Sequence, residues 1–206
     1  YLVGDIFDFW FEHNHSIPKG YTRLFGQLST MTDAGIDIHF FKGNHDMWTF
    51  GYFEEEIGMK VYEQGLIQDI AGKKFFISHG DALGPVPPPV KWMKKTFDSK
   101  LMQWFFARLH PNFSFGIANR FSGVSRANNM KMDNSFKGEE KEELMIFSRE
   151  VLRDQNIDYF IFGHRHLLLD LPIESSRFIT LGDWVSMFSY AVFDGEKLSI
   201  ETFKNE

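Results

Sequence analysis

The chain predicts an α/β fold with two mixed β-sheets face to face and helices outside. Three observations carry that expectation. Short apolar runs alternate with helical patterns through the first two thirds of the chain. Beyond position 167 strand-like runs succeed one another with only turns between. Four of the apolar runs stop at loops rich in Asp, Asn or His, where an open sheet places its ligands.

Residues 1–3 read as a short strand and residues 4–10 as a loop. Residues 12–20 form a polar loop whose His13 and His15 lack a strand-end context and read as surface. A helix over 21–34 puts Leu24, Phe25, Leu28 and Met31 on one face and is closed by Gly35. The β-branched and aromatic run 36–41 is a buried strand ending at Lys42-Gly43-Asn44-His45-Asp46. A short helix closes at 52–58, residues 60–70 read as strands across a turn at Gly65, and 73–77 as a further buried strand.

Four prolines within 85–89 break regular structure and open an insertion over 90–134. It is helical in character and mixes Trp92, Phe97, Leu101, Trp104 and Phe105 with Lys91, Lys94, Lys95 and Arg108. Such a segment can pack on the main body or cover an apolar ligand. An amphipathic helix over 137–154 points Leu144, Phe147, Val151 and Leu152 inward. Its Glu139, Glu140, Glu142 and Glu143 read as a solvated face. Strands are expected at 159–162, 167–172, 177–181, 190–193 and 198–203, with Gly182-Asp183-Trp184 at a strand end as a candidate cleft wall.

At 206 residues the chain suits one domain, 1–206. A hydrophobic share of 43% with 24% charged residues is that of a soluble globular protein. The 24 Phe are unusual; residue by residue, filling the core is the first reading, and part of the surplus is available to line a lipid pocket. A net charge of −6 argues against a broad nucleic-acid surface. Without Cys there is neither a disulfide framework nor a thiolate nucleophile. No signal peptide or membrane-spanning run is visible, so the expectation is a cytoplasmic protein.

The chemistry lies in four strand-end loops: Gly4-Asp5-Ile6-Phe7-Asp8, Gly43-Asn44-His45-Asp46, Ser78-His79-Gly80-Asp81 and Gly163-His164-Arg165-His166. Carboxylate, amide and imidazole donors together suit Mn, Fe or Zn better than a thiolate-preferring metal. His164 and His166, two apart in an extended segment, face the same way and can serve one centre or two neighbours. Asp46 can either support the ligands or stabilise its loop.

This ordered set resembles the calcineurin-like metallophosphoesterase family over most of the chain. The resemblance implies a two-metal site with Asp5, Asn44, His79, His164 and His166 as ligands, Asp5 bridging, and Mn ahead of Zn or Fe. It implies that His45 contacts the phosphate and protonates the leaving group, oriented by the carboxylate of Asp8. Within the family, Gly-Asp-Ile-Phe-Asp-Phe-Trp and the aromatic insertion look most like the members that hydrolyse UDP-2,3-diacylglucosamine in lipid A synthesis. That likeness implies a nucleotide-linked lipid as substrate, UMP as a product and attachment to the inner-membrane surface. Trp10, where many members of the family have an Arg nearby, is expected to stack on substrate or line its groove. Ser125 and Arg126 fall where such members hold the glucosamine phosphate. At His45 many of them carry Arg.

The chain starts inside its first strand, and the family's leading Asp-x-His motif has no counterpart. A phosphodiesterase or phosphatase on another substrate, favoured by His45, and a non-catalytic metal-binding scaffold therefore stay open beside the lipid pyrophosphatase. Oligomeric state is equally open.

Overall fold

Parallel strands need a crossover, and the chain supplies its longest one between positions 78 and 159. The computed structural model describes residues 1–116, 118, 120 and 135–204. By its internal contacts the chain divides into two compact units, Tyr1–Gln64 with Pro89–Arg126 and Gly65–Pro88 with Ala127–Glu206.

The second unit is built on a five-stranded mixed sheet of order β3-β4-β5-β7-β6. Its strands are β3 (Leu66–Ile70), β4 (Lys73–Ser78), β5 (Tyr159–Phe162), β6 (Leu168–Ile173) and β7 (Ser176–Leu181). The three central strands β4, β5 and β7 run parallel, and β3 and β6 are antiparallel edges. Strands covered on both faces become continuous apolar runs, which accounts for Tyr-Phe-Ile-Phe in β5. Helix Glu143–Leu152 lies in the crossover and buries Leu144 and Met145 with Phe76, Phe160, Phe162 and Phe178. A separate antiparallel pair, β8 (Ser189–Phe193) and β9 (Leu198–Thr202), completes this unit.

In the first unit β1 (His39–Phe41) pairs in parallel with β2 (Lys60–Tyr62), and Leu2 joins Phe40 by a parallel bridge. The two strands read around Gly65 thus belong to different ladders: β2 pairs with β1, β3 with β4. Helix α1 (Thr22–Asp33) buries Phe25 and Leu28 but leaves Leu24 38% exposed, against the expected inward face. Helices α2 (Pro88–Phe97) and α3 (Lys100–Phe106) open the insertion. Phe106 sets its ring against Phe11 and Trp48, each at 4.8 Å, and the Trp48 indole donates to the Phe97 carbonyl at 3.0 Å. Trp92 and Leu101 on the same helices stay 71% and 65% exposed. The insertion therefore packs and also presents free apolar surface. No helix among the described residues is long and apolar enough to cross a membrane.

Trp10 is the clearest correction. It is fully buried among Phe7, Phe25 and Phe53, so its ring has no face left for a substrate. Its indole N–H donates to Glu12 at 3.1 Å, inside the core. Phe9 instead faces the insertion, with Phe106 and Phe115 at 5.6 and 5.8 Å. The pattern Phe-Asp-Phe-Trp could not tell inward from outward rings, because both positions are aromatic. Trp10→Ala is expected to destabilise the protein by about 3–5 kcal/mol, as large core truncations do. Trp10→Phe should lower the melting temperature yet leave KM unchanged, and a raised KM with intact stability would restore the substrate role.

Candidate active site

In the first unit, the Leu2–Phe40 bridge aligns two chain segments that leave their ladder together, as Gly4-Asp5 and Gly43-Asn44. Asp46 ties them. Its fully buried carboxylate accepts from the backbone N–H of Gly43 at 2.7 Å, Ile6 at 2.8 Å and Asp5 at 3.2 Å. Of the two roles open from sequence, Asp46 holds the loop-stabilising one.

Asp5 sits at φ +53, a left-handed conformation that costs a non-glycine residue on the order of 1–3 kcal/mol and persists only where its surroundings over-determine it. Here the Asp46 carboxylate holds its N–H, and its own Oδ1 accepts from the His45 N–H at 2.9 Å. A Cβ on Gly43 would lie 2.2 Å from that Oδ1 and 2.5 Å from the Asp5 nitrogen. Gly43→Ala must therefore push Asp5 away. The expected loss is about 1–3 kcal/mol of stability, as for other overpacked sites, with weaker metal binding as the sharper readout in a titration.

His45 is held by the main chain of Asp8. Its Nδ1 lies 2.9 Å from the backbone carbonyl of Asp8, and the Asp8 side chain is exposed. A carbonyl only accepts, so Nδ1 carries the hydrogen. Asp8 thus orients His45 through its main chain. Glu12 organises the same loop from below. Its buried carboxylate also accepts from the N–H groups of Phe50 and, at 3.2 Å, Tyr52.

In the second unit, register does the positioning. Ser78 pairs with Phe162, and Phe162 with Thr180, so three parallel strands end level and on one side. Past these ends the chain places His79, Gly163-His164 and Gly182-Asp183. The rings of His79 and His164 meet at 5.2 Å, and His79 is 2% exposed. His164 too is left-handed, at φ +58. His166 Nδ1 lies 3.9 Å from the Asp183 carboxylate. Burial raises the Asp183 carboxyl, but hydrogen bonds from the N–H groups of Ser186, Val185 and Met187 and the Ser186 hydroxyl outweigh it and hold it below the ordinary carboxylate range. Asp183 is accordingly an anion beside His166.

Between the two imidazoles, Arg165 turns inward to Glu142. Glu142, expected on the solvated face of its helix, is 1% exposed. Helical charge periodicity failed here because Glu142 precedes the helix rather than lying on it.

Residues 1–168 match the model of the calcineurin-like phosphoesterases. The chain belongs to that family. A UDP-2,3-diacylglucosamine hydrolase of Porphyromonas gingivalis is 36% identical over 100% of this chain and 83% of its own length. Proteins of the same name from Histophilus somni and Aeromonas salmonicida are 28% and 24% identical. They align with 89% and 93% of this chain, and with 77% and 75% of their own lengths.

Family membership implies divalent metals, and this phosphoesterase has candidate ligands in each unit: Asp5 in one, His79 and His164 in the other. Asn44 is partly buried beside Gly43, and His166 is 29% exposed beyond His164. Imidazole and carboxylate donors fit a borderline or hard divalent ion. Of the remaining expected residues, Ser125 and Arg126 lie outside the described ones. His13, read as surface, is partly enclosed. Among the described residues its buried Nε2 has no hydrogen-bond partner, and burial lowers the affinity of its ring for a proton. His15 is exposed as expected. Sequence reasoning missed Glu12, Glu142 and Arg165, which act through burial.

Proposed function

We propose that this phosphoesterase hydrolyses the phosphoanhydride of UDP-2,3-diacylglucosamine to UMP and 2,3-diacylglucosamine 1-phosphate. The observation that carries the proposal is the relative of that name, 36% identical across the whole chain. It is a hydrolase by family, and the supporting chemistry lies in its four motif loops. Two divalent metals, Mn first among the candidates, are proposed to be held by Asp5, Asn44, His79, His164 and His166. Bound there, they would supply Lewis acidity to the phosphoryl oxygens and lower the pKa of a water.

His45 is proposed to act on the leaving group. Nδ1 donates to the Asp8 carbonyl, so a protonated ring presents its second N–H at Nε2. The water oxygen bonds to phosphorus as the bond to the bridging oxygen breaks, that oxygen takes the Nε2 proton, and the proton lost by the water restores the ring. Asp5 keeps its place through the Asp46 carboxylate and the close approach of Gly43.

The exposed Trp92, Leu101, Phe105 and Phe113 of the insertion, with Lys91, Lys94, Lys95 and Lys100 beside them, are proposed to meet the acyl chains and an anionic membrane surface. A cytoplasmic protein attached peripherally to the inner membrane is part of that proposal, with Ser125 and Arg126 on the sugar phosphate. A phosphodiesterase acting on another substrate is the second reading, favoured by His45.

One assay separates them. The full-length protein is incubated with Mn2+ and either UDP-2,3-diacylglucosamine or a chromogenic phosphodiester, and UMP is measured by chromatography. UMP release that stops with a chelator is expected. Turnover of the diester alone would move the assignment to the second reading, and turnover of neither would end the enzyme reading.

A further inference from the structure

We propose that the buried Glu142–Arg165 ion pair sets the positions of His164 and His166, which makes both of its members positioning residues for the hydrolytic site. The proposal rests on the metallohydrolase reading above and adds Glu142, from outside the four motif loops, and Arg165, the residue between the two imidazoles.

The turn after β5 carries unusual demands. The Arg165 N–H donates to the Gly163 carbonyl at 2.6 Å, and His164 between them takes a left-handed backbone. β5 ends at Phe162, before this turn. Arg165 supplies the anchor. Its side chain is 5% exposed, and its Nη1 donates to Glu142 Oε1 at 2.5 Å. Its Nη2 donates to the Ser135 carbonyl at 3.3 Å, and Glu143 stands 4.0 Å from Nη1. A planar guanidinium gripped at two nitrogens fixes direction as well as distance. The residues on either side of it are the two imidazoles, so their spacing is inherited from this grip.

Glu142 occupies the position just before helix Glu143–Leu152, where a carboxylate usually caps the helix. It makes no such cap. Its carboxylate turns to Arg165 instead, although burial opposes its ionisation. A buried pair is a poor source of stability, since desolvation cancels much of its attraction. What it does provide here is a unique arrangement: the helix end, Ser135 and the His-x-His turn are locked to one another. Groups behind metal ligands commonly act in this way.

The test compares the full-length wild type with Arg165→Met/Glu142→Leu, which removes both charges together and orphans neither. Mn2+ binding is titrated by electron paramagnetic resonance, the metal-free proteins are melted, and kcat and KM are measured separately. The double variant is expected to melt close to the wild type and to bind Mn2+ about 10- to 100-fold more weakly, the usual cost of losing such support. Its kcat should fall while KM holds. Arg165→Lys, which keeps the charge and loses the fork, should bind Mn2+ with intermediate strength. A double variant with wild-type Mn2+ affinity overturns the positioning role and leaves the hydrolase reading standing. A wild type that takes up no Mn2+ ends both. Loss of melting temperature with unchanged affinity would mark the pair as purely structural and overturn the proposal.

Discussion

Replacing Asp46 with Ala is expected to lower the melting temperature by about 10 °C, the equivalent of about 4 kcal/mol in a chain of this length. Three backbone N–H groups, of Asp5, Ile6 and Gly43, lose their acceptor in one step. The site is fully buried, so water cannot simply replace the carboxylate. An unsatisfied buried donor costs about 1–3 kcal/mol, and three of them partly relax together. Metal-dependent hydrolysis should vanish even at temperatures where the variant stays folded. Asp5 is held left-handed by the Asp46 contact, and without it the ordinary backbone is preferred. Calorimetry and a Mn2+ titration check the two halves. A variant as stable as the wild type would show that the three N–H groups have found other acceptors, and the account of the loop would be wrong.

His45→Asn should reduce kcat by about 100- to 10,000-fold, the range for removing a general acid. Asn is chosen because its amide nitrogen can keep the donation to the Asp8 carbonyl that Nδ1 now makes. The backbone N–H of residue 45 still reaches Asp5 Oδ1, so the loop is preserved. What disappears is the proton at Nε2. KM should change little. The loss should shrink with a nitrophenyl ester, whose leaving group departs without a proton. An equal loss on both substrates would point to phosphate binding rather than proton transfer as the role of His45.

These two residues show where sequence stops. His45 was legible because it directly succeeds a strand and a Gly-Asn loop, and its chemistry is local. That its Nδ1 meets the Asp8 carbonyl was not, because the main-chain and side-chain oxygens of one residue share a position in a sequence and differ in space. Asp46 stood beside His45 in plain view, yet only the approach of residues 5 and 6 says which of its two roles it takes. Trp10 was misread because the resemblance assigned its ring to the substrate and no period in its loop assigns a face. Glu142 was misread because it precedes the helix whose charge periodicity it was given.

From the chain alone came the kinds of donor, their order, the strand ends that bear them and the family they signal, because each depends on neighbours within a few positions. Register across β4, β5 and β7 brings His79 level with His164. The Leu2–Phe40 bridge does the same for Asp5 and Gly43, and burial draws Arg165 to Glu142 across 23 positions. Those outcomes belong to the tertiary structure, since a hydrogen bond or an ion pair between distant residues is decided by where packing puts them and not by what stands next to them.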